Sequence, residues 1–414
     1  MLHWSAQSIS LVGSQITLMA LPLTAILLLQ ATPMQTGLLT AAGYLPFLLL
    51  GLPAGVWVDQ MRRRPIMIAA DVGRAILLLV IPAAYALDLL RLWMLYPIAF
   101  LTGILSLFFD VAHQSYLPLL VPRNQLAEGN AKLEISFSGS QLFGPGLGGV
   151  LVQFLTAPFA LLADALSYLV SAICILAIRR PEPRPASTEG AAAGLGQQIK
   201  EGLRYVLNHE LLRPIALTTG IGNLFDLYGM VAAILTLYAV RELELSPATL
   251  GGVLAVANAG SLLAATVNGR LIQRFGVGPV LAVSSVIPGL AVLLLPLATP
   301  ATAVPILVAS LGVAGFAIAI YNVNQITLRQ TVTPDAMQGR MNATIRFLIW
   351  GTLPIGTFLG GLLGGAIGLR PTLVIAGIGS TLASLPMILS SIRSLRTIPS
   401  AEGTPVDTMV SAHG

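Results

Sequence analysis

Charge is what this 414-residue chain has least of. Only 9% of its residues are Asp, Glu, Lys or Arg, while 55% are hydrophobic. Soluble domains carry about 25% charged residues, so the deficit excludes an ordinary water-soluble globule. Lysine is scarcer still. Lys132 and Lys200 stand alone, and every other basic residue is arginine. The single cysteine, Cys174, excludes an intrachain disulfide, and inside an apolar run it reads as a small core residue. Four histidines (His3, His113, His209, His413) offer no metal-ligating spacing. There is no His-Glu-x-x-His, no Gly-x-Ser-x-Gly and no Walker sequence. These absences argue against an enzyme, a metal and ATP. The formal charge of +5 lies in no aromatic-interleaved patch, which argues against a nucleic-acid partner. With no cofactor implied, energy must come from an ion gradient or from the substrate's own gradient.

What is present is apolar length. A bilayer core takes about 20 apolar residues per helix. Twelve such runs stand at 6–29, 36–58, 66–87, 92–117, 132–155, 158–178, 214–240, 247–271, 277–298, 303–328, 342–366 and 371–392. They are apolar on both parities and twice the length of a barrel strand, so the fold class is all-α with twelve transmembrane helices. The first run starts close to Met1 without a basic leader and reads as a retained helix. Placing both termini in the cytoplasm leaves only Arg91, Arg241 and Arg370 of the 22 basic residues outside. The chain divides into a six-helix bundle (1–178), a cytoplasmic linker (179–213), a second six-helix bundle (214–392) and a cytoplasmic tail (393–414). The linker opens Pro- and Ala-rich. It then places Ile199, Leu203, Val206 and Leu207 on one helical face, as in a helix lying on the inner membrane surface. The tail from Ser394 reads as mobile and dispensable.

The two halves repeat at an offset near 212. Gly55 and Pro65 fall on Gly269 and Pro279, Gln114 on Gln325, Asn130-Ala131 on Asn342-Ala343, and Gly148-Gly149 on Gly360-Gly361. Parallel six-helix repeats around a long central loop are a transporter architecture with its substrate site near the midplane. At the end of the second run stands Gly55-Val56-Trp57-Val58-Asp59-Gln60-Met61-Arg62-Arg63-Arg64. With twelve spans and the central loop, this cluster resembles the major facilitator superfamily, whose loop between helices 2 and 3 reads Gly-x-x-x-Asp-(Arg/Lys)-x-Gly-(Arg/Lys)-(Arg/Lys). Gly55, Asp59, Arg63 and Arg64 match; Gln60 and Arg62 depart. Gly144-Pro145-Gly146-Leu147-Gly148-Gly149 is similar to the Gly-Pro-x-x-Gly-Gly motif of proton-coupled antiporters. The passages Ala69-Ala70-Asp71, Ser115-Tyr116-Leu117-Pro118, Asn124 to Asn130 and Ala163 to Ser167 resemble the branch of enterobactin and macrolide exporters. The same glycines satisfy Gly-x-Gly-x-x-Gly, but inside an apolar helix they lack the strand that a dinucleotide site requires.

Ionisable groups inside a bilayer cost several kcal/mol or more and so need a reason. Asp226 sits near the middle of the seventh run, with Thr219, Asn223 and Met230 at helical spacing. The resemblance places runs 1, 4, 7 and 10 around the central cavity, which makes Asp226 a proton or cation site, against the alternative of a structural acid between helices. Asp110 and His113, one turn apart in run 4, are the second proton candidate or an inner-gate pair. Asp164, in a peripheral run, reads as structural, and Asp71 with Arg74 as an ion pair supporting the loop. Uncharged polar residues in the cavity runs (Gln15, Asn223, Tyr228, Tyr321, Asn324 and Gln325) are substrate candidates, or plain interhelical hydrogen bonds. Gly55, Asp59, Arg63 and Arg64 would form an inner-gate latch reaching Asn342 or Arg346. Gly144, Pro145, Gly148 and Gly149 would be a close-packing face.

The expected protein is a monomeric inner-membrane secondary transporter that exports a small amphiphilic compound against protons. An importer or lysophospholipid flippase of the same fold is the alternative, and a non-transporting membrane receptor is the alternative of another class.

Overall fold

A computed structural model describes residues 2–120, 126–178 and 195–397. The described chain is helical throughout. In order, the helices are α1 (Leu2–Leu23), α2 (Pro33–Asp59), α3 (Arg63–Ala86), α4 (Leu92–Leu120), α5 (Leu126–Leu155), α6 (Ala157–Leu176), α7 (Leu195–Asn208), α8 (Leu212–Phe225), α9 (Met230–Arg241), α10 (Pro247–Phe275), α11 (Val277–Val292), α12 (Ala303–Val332), α13 (Asp335–Ile367), α14 (Leu369–Leu382) and α15 (Leu385–Ile388). A π-helical turn, Thr24–Leu28, extends α1. Eleven spans among the described residues are long and apolar enough to cross a bilayer. The twelfth crossing is α5, whose first turns carry Glu128, Lys132 and Glu134 before the apolar stretch begins. Large apolar side chains point outward, including Phe154 (81% exposed), Leu389 (75%) and Trp93 (68%). An apolar exterior on this scale suits lipid rather than water.

Each half is held by pairs of helices, α1 with α5 and α6, and α3 with α4 and α6, in the first. The ends fix which side is which. Trp4 Nε1 donates to Lys132 O (3.1 Å), and Arg64 donates to Ile175 O (3.1 Å) and Leu176 O (2.7 Å). The starts of α1, α3 and α5 and the end of α6 therefore share one face, the terminal side. Arg64 thus donates to the last carbonyls of α6, which a helix leaves unsatisfied.

The repeat is visible in backbone conformation. Thr32 and Ser246 cap α2 and α10 with their side chains, and each precedes a proline at the first helical turn. Gln30 (φ 51°) and Glu244 (φ 56°) occupy matching left-handed positions two residues before those caps. Thr156 (φ 73°, ψ 157°) opens α6 as Gly368 (φ 94°, ψ 163°) opens α14. That region is almost exclusive to glycine.

Glycines also set how the halves meet. Gly144 and Gly148 turn toward Gln15 and Ile16 of α1, while Gly149, one residue on, lies against Pro247 O and Gly251 of α10. In the second half Gly360 lies against Met230 of α9, while Gly361 lies against Pro33 O and Gly37 of α2. Each span thus uses one glycine row to pack its own half and the next to pack the other half. A methyl group at Gly149 or Gly361 would meet backbone, which cannot swing aside. These contacts lie toward the far side. Toward the terminal side α2 and α13 separate, beyond the stacked rings of Phe47 and Trp350 at 4.7 Å, around a cavity of about 270 Å³. Among the described residues the halves thus touch backbone to backbone toward the far face and stand apart around this cavity toward the terminal face.

The linker and tail depart from the sequence reading. Residues 179–194 lie outside the described residues. In α7, Gly202 packs against Arg340 O and Thr344 of α13, Glu201 pairs with Arg340 (2.8 Å), and Val206 is fully buried. One flank of the helix is therefore sealed by protein, and among its described side chains Leu203 and Leu207 are the exposed apolar ones. The described start of the tail is packed: Leu395 O and Arg396 O accept from Gly278 N (2.8 Å) and Val277 N (3.3 Å), satisfying the first turn of α11.

Three outcomes are expected. Thr156→Gly relieves a strained backbone and raises thermal stability by about 1 kcal/mol, read as a higher unfolding midpoint in detergent. Gly148→Val overpacks α1 within one half and costs about 1–3 kcal/mol. Gly149→Val should instead part the halves on the far side, read as lengthened spin-label distances between α5 and α10.

Candidate functional site: a polar cavity at a broken helix

The seventh crossing is not one helix. Asp226 N still donates to Gly222 O (2.8 Å), but ψ of Asp226 is −164° and the helix ends. Asp226 Oδ1 then accepts from Tyr228 N (2.9 Å), and Val231 N donates to Asp226 O (3.2 Å) as α9 begins. A short carboxylate side chain that accepts from the backbone two residues on competes with helix continuation. Gly229 completes the break, since a methyl there would strike Asn223 O and Leu224 O. The expected stripe Thr219–Asn223–Asp226–Met230 therefore does not exist as one face. Met230 heads the second helix and is buried in the core.

The break opens a small polar cavity of about 60 Å³ lined by Thr219, Asn223, Asp226, Tyr228, Ser284, Ser285, Tyr321 and Asn322. It has room for about two waters and is far below the 300–1,000 Å³ of a drug-sized site. It is a polar corner, not a complete substrate pocket. Thr219 and Tyr321 tie α8 to α12 through their hydroxyls at 2.9 Å, and Asn223 Nδ2 donates to Ile349 O of α13 (3.1 Å). Tyr228 is half exposed. Tyr44, on α2 of the other half, is close enough to interact electrostatically with both Asp226 and Tyr228. Among the described contacts of Asp226 there is no ammonium or guanidinium.

Other sequence candidates separate. Asn324 is buried and turned toward α10, where it exchanges amide hydrogen bonds with Asn268 (2.7 and 3.5 Å). It is helix-packing glue, not cavity lining. Gln325, also buried, accepts from Arg329 Nη1 (3.4 Å). The methylenes of Gln15 pack against Gly144. His113 stacks on Phe109 at 6.0 Å, and Asp110 faces the charges of Arg74 and Arg346. Asp71 and Arg74, expected to brace the loop, pair inside the first bundle with both side chains buried.

The expected gate maps onto the 270 Å³ cavity. Gly55 of α2 and Asn342 and Arg346 of α13 face it together. The Asp59 side chain lies outside the described residues. A methyl at Gly55 would meet nothing within 4 Å, so the glycine is not in close contact in this parted state. Arg63 begins α3 and is half-buried.

The sequence reading missed Tyr44, Ser284 and Ser285. Nothing in their local pattern distinguishes them from other polar residues in apolar helices; only the packing of α2 and α11 brings them to the break.

Comparison with known proteins gives a consistent frame. The family described as transmembrane secretion effector matches residues 1–411. The multidrug efflux pump Tap of Mycolicibacterium fortuitum is 27% identical over 91% of this chain and 90% of its own length. The enterobactin exporter EntS of Salmonella typhi is 26% identical over 95% and 93%. The alignment with the uncharacterized MFS-type transporter YfiS of Bacillus subtilis, at 29% identity, spans 64% of this chain and 62% of that protein. Among solved structures, a bacterial homologue of the iron transporter ferroportin in an inward-facing state superposes with a TM-score of 0.74 at 16% identity, covering 93% of this chain and 97% of that one. That likeness establishes the fold alone.

The two roles of Asp226, backbone acceptor and charge, separate by substitution. Asp226→Asn keeps an oxygen for Tyr228 N and should unfold near the wild-type temperature. Asp226→Ala orphans that donor and should lose about 1–2 kcal/mol in the same thermal measurement.

Proposed function

The chain belongs to the transmembrane secretion effector family of major facilitator transporters, and on that premise we propose that it is a proton-coupled exporter of a small amphiphilic compound. The observation that carries this reading is Asp226: a buried carboxylate at a helix break, bordered by three tyrosines and by no cation among the described residues. A carboxylate removed from water and offered no countercharge needs a proton or a cationic ligand. Either can satisfy it, so the two compete, and competition for one group is sufficient for antiport.

The cycle follows from the two halves. Basic residues orient the terminal side toward the cytoplasm of a bacterial-type inner membrane, so the parted face is the cytoplasmic one. From there a substrate with a cationic or hydrogen-bonding head and an apolar body reaches Asp226, Tyr228 and Tyr44 as the proton leaves. Rocking of the halves about the α2–α13 and α5–α10 contacts exposes the site on the far side. A proton from outside then displaces the substrate. Asp110 and His113, near Arg346 at the parted face, are a second position for the proton. Relatives named as a multidrug efflux pump, a macrolide efflux protein and an enterobactin exporter support the outward direction. The protein is proposed to work as a monomer.

Everted vesicles carrying the protein, acidified inside, should release protons when substrate from a drug or siderophore panel is added. Asp226→Asn should reduce that release at least tenfold while the protein remains folded. Uptake driven in right-side-out vesicles would identify an importer or lipid flippase instead, and flux indifferent to Asp226→Asn would remove the carboxylate from the mechanism.

A further inference from the structure

The first bundle holds a second ionisable cluster that the substrate site does not use. Arg74 of α3 is 4% exposed, deep between α3, α4 and α6. Its guanidinium lies between two rings, 4.4 Å from the centroid of Phe109 and 4.1 Å from that of Tyr168. Three carboxylates face it: Asp71 from its own helix, in direct ion pair, Asp110 from α4 and Asp164 from α6. Asp71 and Asp164 are fully buried.

The charges do not balance. One guanidinium neutralises one carboxylate, and Asp71 takes it by direct contact. Asp110 is part-exposed and has Arg346 of α13 within electrostatic reach. Asp164 is left with hydroxyl neighbours. Thr17 Oγ1 donates to Asp164 Oδ2 (2.5 Å), and Ser167 Oγ lies 2.9 Å from Oδ1 but also 2.8 Å from the Asp164 carbonyl oxygen, to which its one hydrogen can go instead. Among the described residues, α1 brings no ionisable group to this cluster: it contributes Thr17 and Ser14, which meets the Tyr168 hydroxyl at 2.9 Å. His113 lies one turn beyond Asp110 on α4, stacked on Phe109.

The network is also open. Asp71 Oδ2 and Arg74 Nε are buried without a well-formed hydrogen bond, and Ser171 Oγ is the hydroxyl within reach of the Asp71 carboxylate. A purely structural polar network is normally satisfied. Unused donors and acceptors beside surplus carboxylates are what a site needs to hold a mobile proton in more than one arrangement.

We propose that the Asp71–Arg74–Asp110–Asp164 cluster is a proton-binding site inside the first bundle, with Asp164 as the carboxyl that holds the proton. The proton bonds to a carboxylate oxygen of Asp164 and is exchanged with cleft water by way of Asp110, the part-exposed member. Losing it leaves a carboxylate that Arg74, already paired with Asp71, does not neutralise, and strengthens the demand on Thr17. Gly13 lets α1 approach close enough to meet that demand, since a methyl there would collide with Asp164 and Ser167. Protonation would thereby reach α1, the helix packed between α5 and α6. The site deepens the proposed proton coupling but can be tested without transport.

The test is infrared difference spectroscopy of the full-length protein in lipid nanodiscs, titrated through the neutral range without substrate. The wild type should show a titrating protonated-carboxyl band that Asp164→Asn removes and that Asp226→Asn, which deletes only the substrate-site carboxyl's own absorption, retains. Thr17→Val, which keeps every carboxyl, should shift its midpoint by about one pH unit or more. This variant also serves if Asp164→Asn does not fold. A band unchanged in both Asp164→Asn and Thr17→Val overturns the proposal, as does the absence of any titrating band that depends on Asp164. Loss of the band with Asp226→Asn alone would place the proton at the substrate site instead. If the Asp164 band is present and vesicles show no export, the proton site stands and the export reading fails.

Discussion

The structure depends on two places where backbone touches backbone. Gly149 against Gly251 and Gly361 against Gly37 let helices from opposite halves approach until only main-chain atoms separate them. In lipid there is little hydrophobic drive between helices, because the tails are as apolar as the side chains. Close packing of small residues supplies the attraction instead. Two such contacts, related by the internal repeat, form an axis about which the halves can tilt as bodies. The same constraint explains the paired glycine rows. Gly144 and Gly148 tie α5 to α1, and Gly149 next to them ties α5 to α10, so the rigidity of a half and its seam with the other half reside on one helix.

Polar groups are then placed by what they can afford to leave unsatisfied. Asn324 and Asn268 satisfy each other, Thr219 and Tyr321 do the same, and Arg64 caps α6. These bonds are structural because both partners are accounted for. Asp226 differs, because it ends a helix, its carboxylate accepts from the backbone at Tyr228 and Gly229, and no cation stands among its described contacts. The Arg74 cluster differs in the same sense, with more carboxylates than cations. Unbalanced charge in a medium that tolerates it poorly separates a working group from a packing one.

Much of this was legible in the chain. Twelve crossings, the halves, the repeat and the fold family followed from apolar length, a glycine offset and one loop motif, all of which are local or periodic. The deep polar residues were equally visible as residues, since any aspartate in an apolar run stands out. Their assignments fared less evenly. Asp71 and Arg74 read as a loop brace, yet they lie buried among α3, α4 and α6. Asn324 read as cavity lining and turned to α10. The stripe through Asp226 assumed a continuous helix, which the side chain of Asp226 itself interrupts.

The sequence by itself determined the solvent, the number of crossings and the positions where helices can approach, because hydropathy and the absence of a Cβ are properties of single residues. Only the tertiary structure decided which polar residues share a space. Tyr44 reaches Asp226 from the other half, and Asp164 faces Arg74 from a different helix. The reason is geometric. A helix presents a residue to one of several neighbours according to its rotation, and that rotation is set by the packing of the whole bundle.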